Sequence, residues 1–341
     1  MTADPAALGL PAEVGESGLD EPDRRRWRPT RLQISMGIWV VFVGLLLAKW
    51  RVTTNQNQLF VIIGTGLIAA GAGRLHHIGQ VVKDWFPLFV ILAVYGELRN
   101  LAANWFTVHV TPQIDIDKAL FGVVPTVWLQ HELFTPGRLH WYDVVAFTVY
   151  LSHFFVSLVV AAILWKFAYP RFRRFVVLFV SLTFAAFITY ALFPAAPPWL
   201  ASQSNQLAPT ARIIDEVWTH IGLHSGVSLF SAKSSFANPV AAVPSLHAAY
   251  PLLLMLFFWD SAKKWRWLLP LYPLAMAFSL VYAGEHYVFD ILLGWVYAAT
   301  IYFVGTWAMN AWSRRRAVRR AAPEPGAEPE VLVGAALSSP G

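Results

Sequence analysis

Eight apolar blocks, at roughly 34–50, 59–73, 86–106, 141–165, 175–193, 245–260, 267–283 and 287–310, constrain this chain more than any other feature. About 20 consecutive apolar residues span a bilayer as a helix, and backbone groups in lipid must pair within their own segment. The expected fold is therefore all-α: a polytopic transmembrane helix bundle of about eight membrane helices. The blocks at 59–73, 245–260 and 267–283 are short and must borrow flanking residues or sit in thinner membrane. A soluble domain would not be 57% hydrophobic and 13% charged. The chain has no cysteine, which excludes disulfides, thiol catalysis and Fe–S ligation by cysteine. No small-residue cleavage pattern follows the run that begins at Ile34, so that run is expected to persist as the first helix.

Charge orients the bundle. With the N-terminus in the cytoplasm, the loops near 74–84, 166–174 and 261–266 and the tail after Ser313 also fall inside. Together these five pieces hold 19 of the 26 Lys and Arg residues. The net charge of +6 is thus a topology signal, and no nucleic-acid partner is expected. Residues 1–33 are expected to form a disordered cytoplasmic tail, 34–85 two accessory transmembrane helices, and 313–341 a basic then disordered cytoplasmic tail. Two long outer loops, about 107–140 and 194–244, are rich in Trp and Pro. The second is expected to hold a short interfacial helix around "ARIIDEVWTHIG".

Two motifs lie at apolar borders on the outer face: "PSLH" at 244–247 and "GEHYVFD" at 284–290. His286 and Asp290 are spaced i, i+4, one helical turn, so the carboxylate can accept the Nδ1 proton of the imidazole. That contact fixes the tautomer and leaves Nε2 as a nucleophile or base. An acid in an apolar helix needs a partner, and His286 is the nearest. Pro244 and Ser245 precede a helix start, whose free N–H groups and positive dipole end suit an anion. His247 would be placed there to protonate a leaving alkoxide. These parts together point to phosphoryl transfer. His153, about 12 residues into the fourth block, is expected to lie roughly 18 Å below the outer border, too deep to take part.

"PSLH" with "SLVYAGEHYVFD" resembles the second and third signature motifs of the type 2 phosphatidic acid phosphatase (PAP2) superfamily. The similarity is greatest to its inositolphosphotransferase-like branch, which includes fungal inositol phosphorylceramide synthase. "YGELR" at 95–99, "YLSHF" at 151–155, "FPAAPPW" at 193–199 and "NPVAAVPSLHAA" at 238–249 add to the resemblance, which spans roughly 86–300. It implies a PAP2-like six-helix core and a catalytic membrane domain over 86–312. It implies that His286 attacks phosphorus to form a phosphohistidine, that Asp290 orients it, and that His247 protonates the leaving group. No metal or other cofactor is implied. The implied partners are membrane lipids: a phospholipid or polyprenyl phosphate substrate, with a polyol or lipid hydroxyl as possible acceptor. The implied place is the cell membrane.

The chain also departs from that family pattern. Leu246 stands where the second motif has Gly, Leu280 follows Ser279 where the third opens Ser-Arg, and the Lys-rich first motif has no match on the outer face. Other cations must then meet the phosphate. Arg99, about 13 residues past Phe86 and so roughly 20 Å along its helix, is the first candidate. Arg212 and Lys233 in the outer loop come next, and Ser245 completes the substrate-binding set. Two other functions compete. A non-enzymatic transporter would carry its ionisable residues near the midplane beside broken helices. A bis-histidine haem carrier would need paired histidines at matching depths, and its absorption spectrum would reveal it.

Overall fold

The structure, a computed structural model, describes residues 30–50, parts of 61–90, 107–222 and 241–321. In chain order the helices are α1 (Arg31–Trp50), α2 (Thr111–Phe121), α3 (Pro125–Leu133), α4 (Trp141–Phe167), α5 (Tyr169–Leu192), α6 (Pro198–Gln203), α7 (Ile213–His220), α8 (Leu246–Phe258), α9 (Leu271–Tyr282) and α10 (Val288–Ala321). A 3₁₀ turn, Lys263–Leu268, joins α8 to α9. Among the described residues there is no β-strand, only isolated bridges from Ala195 to His109 and to Ala241.

Three described helices are long and apolar enough to cross a membrane: α4, α5 and α10, the last over Val288–Arg320. The block expected at 175–193 starts earlier, at Tyr169, because Pro170 fits the first turn, where a backbone N–H has no helical partner anyway. Arg171, Arg173 and Arg174 therefore ride on the helix rather than in a loop. The block expected to end near 310 continues as helix through "SRRRAVRR" to Ala321. The block at 86–106 lies mostly outside the described residues, although helix is present at 82–88.

α8 packs between α9 and α10, α4 packs on α5 and α9, and α5 packs on α10. Lipid tails are as apolar as leucine, so such packing relies on close fit rather than on escape from water. Two apolar clusters divide the bundle. One, with Trp85, Phe172, Phe175, Leu178 and Leu253, lies toward the basic end. There Arg171 donates to Ser261 Oγ and Arg174 to Asn310 Oδ1, each at 2.6 Å, tying together the ends of three helices. The other, with Phe147, Tyr150, Ile213, Met276 and Leu280, lies toward the opposite end.

That opposite end carries the two long connections. The first is not an irregular loop, since it forms α2 and α3. The second holds α6 and the short helix expected around "ARIIDEVWTHIG", which is α7. Three extended pieces brace these connections. His109 N–H donates to Pro194 O (2.8 Å), Ala196 N–H to His109 O (2.9 Å) and Ala242 N–H to Ala195 O (3.2 Å).

Candidate active site

The turn bearing His286 is clamped at both ends. α9 stops because Gly284 takes φ +76°, a left-handed conformation that residues with a Cβ rarely adopt. A side chain there would also meet Ala211 O at 2.8 Å. The N–H groups of Glu285 (3.0 Å) and His286 (3.3 Å) both donate to Leu280 O. α10 then begins at Val288, and a residue from far away caps it: Asp117 of α2 accepts from the N–H groups of Val288 (3.0 Å) and Phe289 (2.9 Å). A carboxylate at a helix N-terminus satisfies donors that have no helical partner and meets the positive dipole end. Burial raises the Asp117 pKa, and these backbone bonds oppose the rise.

In the first turn of α10, Asp290 Oδ2 accepts from His286 Nδ1 (3.2 Å) and from the N–H of Tyr287 (3.0 Å). Asp290 is fully buried, and His286 nearly so. With its proton on Nδ1, His286 presents a lone pair at Nε2, which lies 3.3 Å from His247 Nδ1. His247 Nδ1–H is therefore the donor of that contact, and its own Nε2 is buried without a hydrogen-bond partner among the described residues.

His247 sits at the start of α8. Ser245 is extended (φ −70°, ψ 107°), and its Oγ accepts from the Ala248 N–H at 3.3 Å, an N-cap. The Ser245 N–H donates to Asp290 O at 3.0 Å, joining the two motifs through the backbone. Tyr190 OH donates to Pro244 O at 2.6 Å and holds the entry to α8 from the α5 side. Pro251 has no N–H, so the His247 carbonyl lacks its usual i+4 helical partner. Gly294 of α10 faces this start, and any Cβ there would collide with Ser245 O.

His153 is not remote from the pair. Its ring lies 4.1 Å from that of His247 and stacks on Tyr250 at 5.2 Å, while Tyr150 stacks on His247 at 5.1 Å. The sequence expectation placed both catalytic histidines at the outer border, above His153. The pair instead lies level with Tyr150, His153 and Phe154, well inside α4 rather than at its start. Depth counted along one helix misled because the border of the bundle is not the floor of the site.

Arg212 reaches the same region, but in company. Its Nε donates to Glu285 Oε1 at 2.7 Å and its Nη2 to Oε2 at 3.3 Å. Asp215 Oδ2 is 3.6 Å from Nη1, and the guanidinium lies over the Trp199 ring at 4.6 Å. Burial opposes the Arg212 charge, but Glu285, Tyr150 and Asp215 outweigh it and hold the pKa above its usual range. Asp215 is pushed up to about 6, by burial first, with Arg212 opposing. Arg99 and Lys233 lie outside the described residues. Among the described residues no group of three or more His, Asp or Glu side chains could hold a metal ion.

Residues 114–304, more than half of the chain, match the family model of the PAP2 superfamily. The chain belongs to the PAP2 superfamily. As a PAP2 protein it is a membrane phosphotransferase or phosphatase acting on a lipid phosphate or phosphodiester. Among curated relatives, it is 30% identical to the phosphoinositol dihydroceramide synthase of Bacteroides thetaiotaomicron, over 60% of this chain and 70% of that protein. It is 25% identical to the inositol phosphorylceramide synthase of Candida albicans, over 63% of this chain and 46% of that protein. To the inositol phosphorylceramide synthase catalytic subunit of Saccharomyces cerevisiae it is 24% identical, over 84% of this chain and 72% of that protein. These relatives bear out the inositolphosphotransferase-like branch. No solved structure matches.

Among PAP2 proteins the departures at Leu246 and Leu280 now have surroundings. Leu280 is fully buried against Met276, Tyr282 and Ile213, so a guanidinium starting there would enter apolar core. Leu246 packs into the clusters beside α5. Sequence reasoning missed Glu285, Asp117 and Tyr190, and it assigned His153 and Tyr150 no place at the site. Only Glu285 carried a signal, as an acid next to a candidate nucleophile.

Proposed function

We propose that the protein transfers a phospho-polyol headgroup from a glycerophospholipid to the hydroxyl of a ceramide-type lipid, through a phosphohistidine at His286. The observation that carries this reading is the position of His286 between two groups. Asp290 holds its Nδ1 proton at 3.2 Å, and His247 faces its Nε2 at 3.3 Å. The names of the relatives, a phosphoinositol dihydroceramide synthase and inositol phosphorylceramide synthases, support the headgroup and the acceptor.

In the first half-reaction Nε2 of His286 attacks phosphorus. The P–N bond forms as the bond to the glycerolipid oxygen breaks. His247, as imidazolium, gives that oxygen a proton and becomes neutral. In the second half the acceptor hydroxyl attacks phosphorus, His247 takes its proton, and the P–N bond breaks. Asp290 keeps the Nδ1 proton on His286 throughout and stabilises the cationic ring of the adduct. Substrate phosphate must part the two imidazoles, which frees the His247 N–H that had faced the nucleophile. Arg212 supplies positive charge beside the phosphate, Ser245 retains a hydroxyl proton to donate, and Arg99 and Lys233 are the further cations for the headgroup.

The site faces the extracytoplasmic side of the cell membrane, in a bundle of eight membrane helices with both termini in the cytoplasm. The basic residues gathered at the opposite end of the helices support that orientation. The test is turnover of phosphatidylinositol with and without ceramide, on the full chain and on His286→Ala. A ³²P label retained on the full chain and absent from His286→Ala is the expected result. Release of inositol phosphate at the same rate with and without ceramide would replace transfer with hydrolysis.

A further inference from the structure

The charge around Arg212 carries a second conclusion, which rests on the proposed phosphate site between His247 and His286. We infer that Glu285 is a specificity-determining residue: by occupying one edge of Arg212 it sets the site for a phosphate with a single negative charge, and against a doubly charged phosphomonoester.

Glu285 immediately precedes His286, and its carboxylate grips Arg212 through both Nε and Nη2, at 2.7 and 3.3 Å. Both side chains are buried, at 9% and 8% exposure, so solvent screens the pair weakly. Arg212 lies within electrostatic reach of Tyr150, the ring stacked on His247, and of His247 itself. The charged or titratable groups acting with Arg212 are Glu285, Asp215 of α7, Tyr150 of α4 and His247 of α8, and His286, held by Asp290, follows Glu285 in the chain. Among these described residues Arg212 is the single permanent cation, against three carboxylates. Leu280, buried in core, adds nothing.

A phosphodiester brings one negative charge to such a site at any pH near neutral. A phosphomonoester brings a second once pH exceeds its second ionisation, near pH 6. That second charge meets Glu285 at short range in a poorly screened setting, where carboxylate–phosphate repulsion is strong. Glu285 also fixes the guanidinium against Trp199, so Arg212 cannot swing to give a dianion both of its edges. The two effects act in the same direction. A plain lipid phosphatase needs the opposite balance, an excess of cations.

The test is equilibrium binding to the full chain in detergent, in a His286→Ala background so that no turnover occurs. The probes are dihexanoyl phosphatidylinositol, a monoanion, and dihexanoyl phosphatidate, a dianion at pH 8. The diester is expected to bind at least tenfold more tightly at pH 8, and the gap to narrow at pH 5.5 as phosphatidate takes up a proton. The diester arm corrects for protonation of Asp215 over the same range. Adding Glu285→Gln is expected to shrink the pH 8 gap by about tenfold, whereas Glu285→Asp keeps it, an outcome that a purely structural ion pair does not predict. Should Glu285→Gln not fold, Asp215→Asn removes a more peripheral carboxylate and is expected to shrink the gap about threefold, and the pH series needs no further variant. A gap that is absent at pH 8, or insensitive to both pH and Glu285→Gln, overturns the assignment and leaves the catalytic reading standing. Failure of both lipids to bind overturns the phosphate site itself, and this assignment with it.

Discussion

Asp117 and Val288 are 171 residues apart, yet the carboxylate of the first accepts the N–H of the second at 3.0 Å. That bond, with its neighbour to Phe289, starts α10 at the point that lets Asp290 reach back to His286. The α2–α3 segment is thereby a brace for His286, the proposed nucleophile. Its position is set by a buried carboxylate rather than by any contact with the histidines.

Removing that cap is expected to loosen the site without touching it. Asp117→Ala leaves two part-buried N–H groups without this acceptor, a loss of about 1–2 kcal/mol. Thermal unfolding in detergent should fall clearly below wild type, and transfer activity should drop about tenfold or more. Asp117→Asn keeps an acceptor oxygen and should fall between the two. Activity unchanged in Asp117→Ala would remove the brace from the mechanism.

Gly294→Ala tests the close approach of α10 to Ser245. The new methyl would strike the Ser245 carbonyl, pushing the start of α8, and His247 with it, away from His286. Misplacement by about 1 Å costs on the order of 10²-fold in rate, so kcat should fall by about that factor. Gly305→Ala on the same helix meets only the far end of the Leu178 side chain, which can rotate, and should lose far less.

His153 packs on His247 and Tyr250, but its Nδ1 has no hydrogen-bond partner among the described residues. A role in shaping the pocket predicts that His153→Phe, which keeps a flat ring, retains activity within about threefold. His153→Ala, which opens a cavity beside His247, should cost about 2–4 kcal/mol of stability and much of the activity. Equal and large losses in both variants would instead assign the imidazole a part in proton transfer.

Asp215 gives a prediction in pH. Its folded pKa of about 6 lies above the ordinary value of 3.8, chiefly through burial. The folded chain therefore binds more protons than the unfolded one between those values, and stability is lost as pH rises through that window. Asp215→Asn removes the loss. Its advantage in melting temperature over the parent chain should be larger at pH 7.5 than at pH 4.5. An advantage that does not change with pH would contradict the assignment.

Some of this site is local, and local relations are legible in a sequence. His286 and Asp290 are four residues apart, so their contact is local, although His286 stands in the turn just before α10 rather than on the helix itself. Ser245 caps α8 because a β-region residue before an apolar run offers its hydroxyl to the third N–H beyond it. The apolar blocks at 141–165 and 287–310 announced α4 and α10 by length and composition.

Other relations needed the fold. Arg212 meets Glu285 across 73 residues, and His153 meets His247 from another helix altogether. Arg212 read as a loop cation and proved to be a buried, paired one.

By itself, the sequence determined a helical membrane protein, because hydropathy acts within a few turns of chain, and the motifs that resemble the PAP2 superfamily pointed to phosphate chemistry and to the three side chains proposed to perform it. Tertiary structure alone decided how deep the histidines lie, which carboxylate caps α10 and which cation stands beside them. Those outcomes depend on how helices tilt and on which loop residues become buried, and such long-range contacts leave no periodic trace along the chain.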